Sequence, residues 1–249
     1  MLLQACLNGS RRRWEHPTLP LDAAAIAADA AQVVAAGAVS LHIHPRDRNG
    51  AESLQPSDVE ACLEAVRAAC PGIRVGVTTA AWIEPDPKRR LESIEGWEVL
   101  PDFASVNLAE EEALAVVDAL AERGVGVEAG VWTLDDARML IEAGLDEACE
   151  RVLVEVDAIA DGATAARAAA AIDATLDGAL IQASRLHHGG GVATWDVIAA
   201  AITLGHDVRI GLEDTLVDRR GVVVESNAAL VAAVVAMAGA AGRVVSADT

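Results

Sequence analysis

Short apolar runs recur along the chain, separated by longer stretches with helical spacing. The runs cover residues 3–8, 38–44, 73–79, 103–108, 125–130, 151–156, 178–184 and 208–213. Most are nearly continuous in apolar residues rather than alternating, as parallel strands covered on both faces require. Between and after them lie helical patterns at 22–36, 57–69, 87–98, 110–123, 133–143, 163–176, 194–204 and 227–240. Gly37, Gly124, Gly144 and Gly205 stand where helices should end, Ser57 is placed to cap the second helix, and Pro71-Gly72 stops it. Eight strand–helix units in 249 residues predict a (β/α)8 TIM barrel, a single domain over residues 1–249. A doubly wound open sheet is the alternative, but no Gly-x-Gly-x-x-Gly or Walker-type loop follows a strand.

Composition narrows the function. The formal net charge of −19 argues against nucleic acid and against anionic membranes as partners. Cys6, Cys62, Cys70 and Cys149 lack Cys-x-x-Cys spacing and read as core residues of a reducing compartment, the cytoplasm. No signal peptide is expected in the first residues, and the alanine-rich stretch 228–241 is too short to span a bilayer.

Barrel chemistry belongs at the C-terminal ends of strands. Strand 2 ends there in His42-Ile43-His44, and alternation puts both imidazoles on one side. Strand 8 closes the barrel beside strand 1, so Glu213 comes within reach of the same point. Two histidines and a carboxylate with open positions are a standard catalytic divalent-metal set, most often zinc, although another divalent metal is possible. Arg209 and Glu213 share a strand face, whereas Asp214 points elsewhere unless the chain turns. Glu128 on strand 5, Glu155 and Asp157 on strand 6, and Gln182 and Ser184 on strand 7 also stand near strand ends. His187 and His188, followed by three glycines, read as a flexible loop over the site rather than as ligands.

These motifs together resemble the β-keto acid cleavage enzyme family, known for 3-keto-5-aminohexanoate cleavage. The matching pieces are Asn8-Gly9, Gly37-Ala38, Leu41 through Asp47, Ser105-Val106-Asn107-Leu108, Arg209 through Thr215, and Asn227. The resemblance implies a TIM barrel that binds zinc through His42, His44 and Glu213. Arg209 and Asp214 would be the catalytic pair. Asn8, Thr78 or Thr79, and Ser105 or Asn107 would contact substrate. The implied reaction takes a β-keto acid and acetyl-CoA to an acetoacetate-type product and a new acyl-CoA. A homo-oligomer, dimer or tetramer, is expected.

Two departures qualify it. Some members carry a glutamate after the strand 1 glycine to hold a substrate amine; here the segment is Gly9-Ser10-Arg11-Arg12-Arg13, which favours a neutral or anionic side chain. The chain is also short for the family, as if a C-terminal extension were missing. Arg11, Arg12 and Arg13, or Lys88-Arg89-Arg90, are the candidate anchors for the anionic coenzyme, against the plainer reading of solvated charge runs. A metal-dependent hydrolase on the same barrel and a non-catalytic metal-binding barrel are the competing functions. A Schiff-base aldolase is disfavoured, because the only lysine, Lys88, is not at a strand end.

Overall fold

A computed structural model describes residues 1–156 and 161–247. Asp157 lies outside the described residues. Eight parallel strands close on themselves in chain order. They are β1 (Leu3–Cys6), β2 (Ser40–Ile43), β3 (Arg74–Thr78), β4 (Phe103–Asn107), β5 (Gly126–Val131), β6 (Arg151–Val156), β7 (Ser184–Gly189) and β8 (Asp207–Ile210). A helix follows each: α1 (Ala23–Ala35), α2 (Pro56–Ala69), α3 (Pro87–Glu95), α4 (Ala113–Glu122), α5 (Leu134–Glu142), α6 (Gly162–Gly178), α7 (Thr194–Leu204) and α8 (Asn227–Ala240). The expected TIM barrel is therefore the observed one. No helix among the described residues is long and apolar enough to cross a membrane.

The continuous apolar strands follow from burial on both faces. Leu41, Ile43, Val75, Val77, Val127, Ala129, Val152 and Val154 belong to the main core with the apolar faces of the helices. Leu153 and Leu186 form a separate small cluster with Leu2. A polar layer also crosses the barrel interior. Gln4 donates to Glu128 at 2.6 Å and Arg151 donates to the same oxygen at 2.9 Å, joining β1, β5 and β6. Phe103 fills the space that a side chain at Gly76 would need, and its ring meets the Arg74 and Arg151 guanidinium groups at 5.5 Å.

Three local expectations are corrected. The seventh strand is not 178–184 but Ser184–Gly189. The alanine-rich helix α6 runs on to Gly178, and residues 179–183 form its exit turn, with Leu180 left-handed at φ 61°. Asp146 accepts from the backbone of Gln182 and Ala183 there. The true strand was masked by polarity, since Arg185 is held by Asp177 at 2.7 Å on the helix side. Secondly, Ser57 does not cap α2. Pro56 occupies the first turn behind Gln55, and among the described residues no side chain caps it. Thirdly, β8 stops at Ile210, and the backbone turns so that Asp214 and Thr215 both donate to the Gly211 carbonyl.

That turn is pinned from beneath by Asn227. Its Oδ1 accepts from Leu212 N at 2.6 Å, while its amide donates to Leu7 O at 2.8 Å and to Asp29 at 2.6 Å. Burial pushes the Asp29 carboxyl up to about 6, against the smaller opposing effect of the Asn227 bond. A raised carboxylate favours folding when protonated, so its contribution is complete below about 4 and is lost as pH rises through about 6. A side-chain amide in place of this carboxyl would still accept from Asn227 without titrating. Asp29→Asn is expected to stabilise the protein by roughly 2 kcal/mol at pH 7 and by almost nothing at pH 4. Denaturant titrations at the two pH values check this, and equal stability of the two proteins at pH 7 would refute it.

Candidate active site

The site is built on the C-terminal ends of β2 and β8. Ligand atoms of His42, His44 and Glu213 lie within 4.8 Å of one another. His44 Nε2 stands 3.5 Å from Glu213 Oε1, and His42 Nε2 stands 4.0 Å from Glu213 Oε2. The motif after β2 explains how His44 is aimed. Asp47 accepts from the backbone of Asn49 and Ala51, which folds the segment back and brings Glu52 to His44. Glu52 meets His44 Nδ1 at 2.6 Å, which leaves Nε2 facing the site. Glu52 also accepts from the Trp82 indole, whose ring stacks on His44.

Asn8 and Gly9 are positioning residues in the same sense. Asn8 accepts from His44 N and donates to His44 O, both at 2.9 Å, and donates to Pro20 O. Its amide is thus spent on backbone. Gly9 has φ 52°, and a Cβ there would lie 2.4 Å from Glu213 Cγ. The Gly9 carbonyl accepts from Arg46. A side chain at Gly9 would displace the carboxylate.

The electrostatics suit a cation. Burial, helped by the Arg209 charge, holds His42 well below its ordinary value and therefore neutral. Burial also acts downward on His44, but Glu213 and Glu52 outweigh it and leave His44 raised. Burial would raise Glu213; Arg209 and the two histidines overcome that and hold it well below the usual carboxylate range. Among the described residues, His42 Nδ1 and Glu213 Oε2 are buried without a hydrogen-bond partner. Neutral imidazole, an ionised carboxylate, unspent polar atoms and a carboxylate behind His44 together fit a divalent metal.

Arg209 bonds Glu213 and stands 3.9 Å from Asp214. The turn after β8 brings Asp214 inward beside Glu213. Its other partners come from elements that sequence reasoning undervalued. His188 Nδ1 meets Asp214 Oδ1 at 3.1 Å, and His188 Nε2 lies 3.1 Å from Glu155. Cys6 Sγ donates to Asp214 Oδ2 at 2.8 Å. His188 belongs to strand β7 and is buried, not part of a loop over the site. Burial and Arg209 push it down, but Glu155 and Asp214 prevail and raise it to about 9. His187 faces the opposite way, toward α6. Correct placement of β7 is the signal that separates the two, since adjacent strand residues alternate.

A narrow cleft of about 20 Å³ opens on the ligand set. Thr78, Ser105, Asn107, Trp82, Trp132, Glu155 and Arg209 line it. Thr79 is turned away, donating to Ser105 O at 2.7 Å. Asn107 donates to Glu110 and accepts from Trp132. Glu128 sits below, in the polar layer, and Gln182 and Ser184 lie at the other end of β7. Next to the cleft is a larger cavity of about 860 Å³ with Arg11, Arg12, Arg13, Trp14 and Arg46 on its wall, sharing Trp82 and Glu52 with the site. Lys88 and Arg89 instead pair with Glu92 and Asp86 on the exposed face of α3, and Arg90 is buried against Glu110.

Residues 1–248 match the beta-keto acid cleavage enzyme family. The chain belongs to that family. It is an enzyme of the family on a TIM-barrel frame. A relative, the 3-keto-5-aminohexanoate cleavage enzyme of Fusobacterium nucleatum, is 25% identical over 275 aligned residues, covering 98% of this chain and 93% of the relative. Among solved structures, apo ObcA superposes with a TM-score of 0.75 at 17% identity over 92% of this chain. A ternary complex of ObcA with a C4-CoA adduct and oxalate gives 0.74 at 18% identity over 92% of this chain and 65% of that one. The chain spans about 64% of the apo ObcA chain, so this likeness speaks to the fold.

Proposed function

We propose that this enzyme condenses a β-keto acid with acetyl-CoA and cleaves the adduct to acetoacetate and a new acyl-CoA. The observation that carries the proposal is the convergence of His42, His44 and Glu213 beside Arg209 and Asp214, at the strand ends of a chain in this family. A divalent ion held by these three ligands, zinc by the donor set, would neutralise the keto acid carboxylate and polarise its ketone.

The chain's own groups supply the rest. Thr78, Ser105 and Asn107 line the cleft and orient the keto acid. Asp214, gripped by Arg209, His188 and Cys6, takes a proton from the carbon between ketone and carboxylate. That carbon attacks the acetyl carbonyl and coenzyme A thiolate leaves. The thiolate then attacks the original ketone carbon, the bond to the acetoacetate carbon breaks, and the proton returns to that carbon. The His188–Glu155 pair offers a second carrier, because Glu155 faces the cleft while His188 reaches Asp214. Arg11, Arg12 and Arg13 make the adjoining cavity the seat of the anionic coenzyme, which an acidic protein needs locally. The same wall lacks a carboxylate directly after Gly9, so the substrate side chain is neutral or anionic.

The test is a panel of β-keto acids differing in side chain, each supplied with acetyl-CoA and assayed for acyl-CoA. Formation from neutral or anionic members is expected. Absence of acyl-CoA across the panel with metal-loaded protein would overturn the assignment, and hydrolysis without coenzyme transfer would favour a metal-dependent hydrolase.

A further inference from the structure

Outside the barrel wall lies a second group of metal-ligating side chains. Asp173 of α6, His187 of β7 and His206, just before β8, bring ligand atoms within 4.8 Å of one another. Asp173 is 6% exposed and His187 1%. The two imidazole rings stack at 4.7 Å with planes 16° apart, so they present edges to the same side. His187 Nε2 stands 3.2 Å from Asp173 Oδ1, and His206 Nε2 stands 3.6 Å from Asp173 Oδ2. We infer that Asp173, His187 and His206 form a second divalent-cation site of the zinc type, structural and remote from the catalytic end.

Three observations support the inference independently. The first is what the close atoms fail to do. Both Asp173 oxygens and His187 Nε2 are buried, yet among the described residues none makes a hydrogen bond. A buried carboxylate without hydrogen bonds is costly, and imidazole nitrogens this near would normally donate to it. Close approach without aligned N–H groups is the relation between two ligands of one ion. The second is distance. Ligands held at zinc bond lengths in a tetrahedron are separated by roughly 3.3–3.6 Å, and the imidazole nitrogens stand 3.2 Å and 3.6 Å from the two different oxygens of Asp173, so the carboxylate faces both rings at ligand-like range. The third is charge. Arg185 faces the cluster, but its Nη1 bonds Asp177 at 2.7 Å and stays 3.8 Å from Asp173. Two carboxylates against one guanidinium leave the neighbourhood net negative when both imidazoles are neutral, which a dication corrects.

The location gives the site its role. His206 follows the left-handed Gly205 that ends α7, and Asp173 lies in the last turns of α6. An ion there would clamp α6 to β7 and to the entry of β8 at the N-terminal face of the barrel, where chemistry does not occur. His206 is half-buried and leaves an open side for water as a further ligand.

The experiment is a zinc titration of the full chain after removal of metal with a chelator, read by elemental analysis and by the thermal midpoint. Two equivalents are expected for the wild type, one for His206→Gln, one for His42→Ala and none for the double variant. Zinc should raise the thermal midpoint of His42→Ala but not that of the double variant. If His206→Gln does not fold, Asp173→Asn provides the same comparison. Saturation of the wild type at one equivalent that only His42→Ala abolishes would overturn the second site and leave the active-site reading intact. Retention of two equivalents by both His206→Gln and Asp173→Asn would overturn it equally.

Discussion

Glu213→Gln is expected to lose the divalent ion proposed for the active site and about 10³-fold in rate, a barrier increase of about 4 kcal/mol. Among the described residues, Glu213 is the anion that pairs with both His42 and His44, and it also takes the Arg209 charge. A neutral amide would leave that buried guanidinium facing Asp214 at 3.9 Å, and would withdraw the carboxylate that favours a cation. Metal content and kcat/KM should therefore fall together, and excess zinc should restore part of both. Glu52→Gln acts one step further out, through His44 Nδ1, and should weaken metal affinity by about 10–100-fold while the bound enzyme keeps its chemistry. A Glu213→Gln protein with unchanged metal content and rate would refute the ligand set.

The second large effect is on stability. Glu128→Ala is expected to destabilise the fold by about 3–5 kcal/mol. Glu128 is fully buried at the centre of the barrel and receives both Gln4 and Arg151. Removing it takes the shared acceptor from two donors, one of them charged, in a buried layer. Arg151 keeps Glu150 at 2.5 Å, which tempers the loss without replacing the inward acceptor. In urea the midpoint should drop while the slope stays constant. Replacing both Glu128 and Arg151 with methionine should recover most of the loss, because an apolar pair carries no desolvation cost. A cost below about 1 kcal/mol for Glu128→Ala would show that the layer is not held by this pair.

Much of the architecture was written in local pattern. Continuous apolar strands can only be buried on two faces, and eight of them alternating with helices close a barrel in this length. Seven of the eight strands lie where the pattern put them, within a few residues. The exception is instructive. Ser184–Gly189 contains Arg185, His187 and His188, and its polarity is compensated by Asp177, Asp173, Glu155 and Asp214, residues supplied by other elements. No local signal marks such a strand, whereas the apolar turn after α6 imitates one.

The site divides in the same way. His-x-His at a strand end and Gly-Leu-Glu-Asp after the last strand were legible because alternation and barrel closure are short-range or topological rules. The roles of their neighbours were not. Asn8 and Gly9 hold His44 and Glu213 in place, Glu52 arrives at His44 through a turn made by Asp47, and Asp214 turns inward because Asn227, far along the chain, pins Leu212. The sequence alone determined the barrel, seven of its eight strands and the three candidate ligands, since these follow from periodicity and strand order. Only the tertiary structure decided that His188 joins Glu155 to Asp214 while His187 joins Asp173 and His206, because one residue of strand register sends adjacent side chains to opposite faces of the barrel wall.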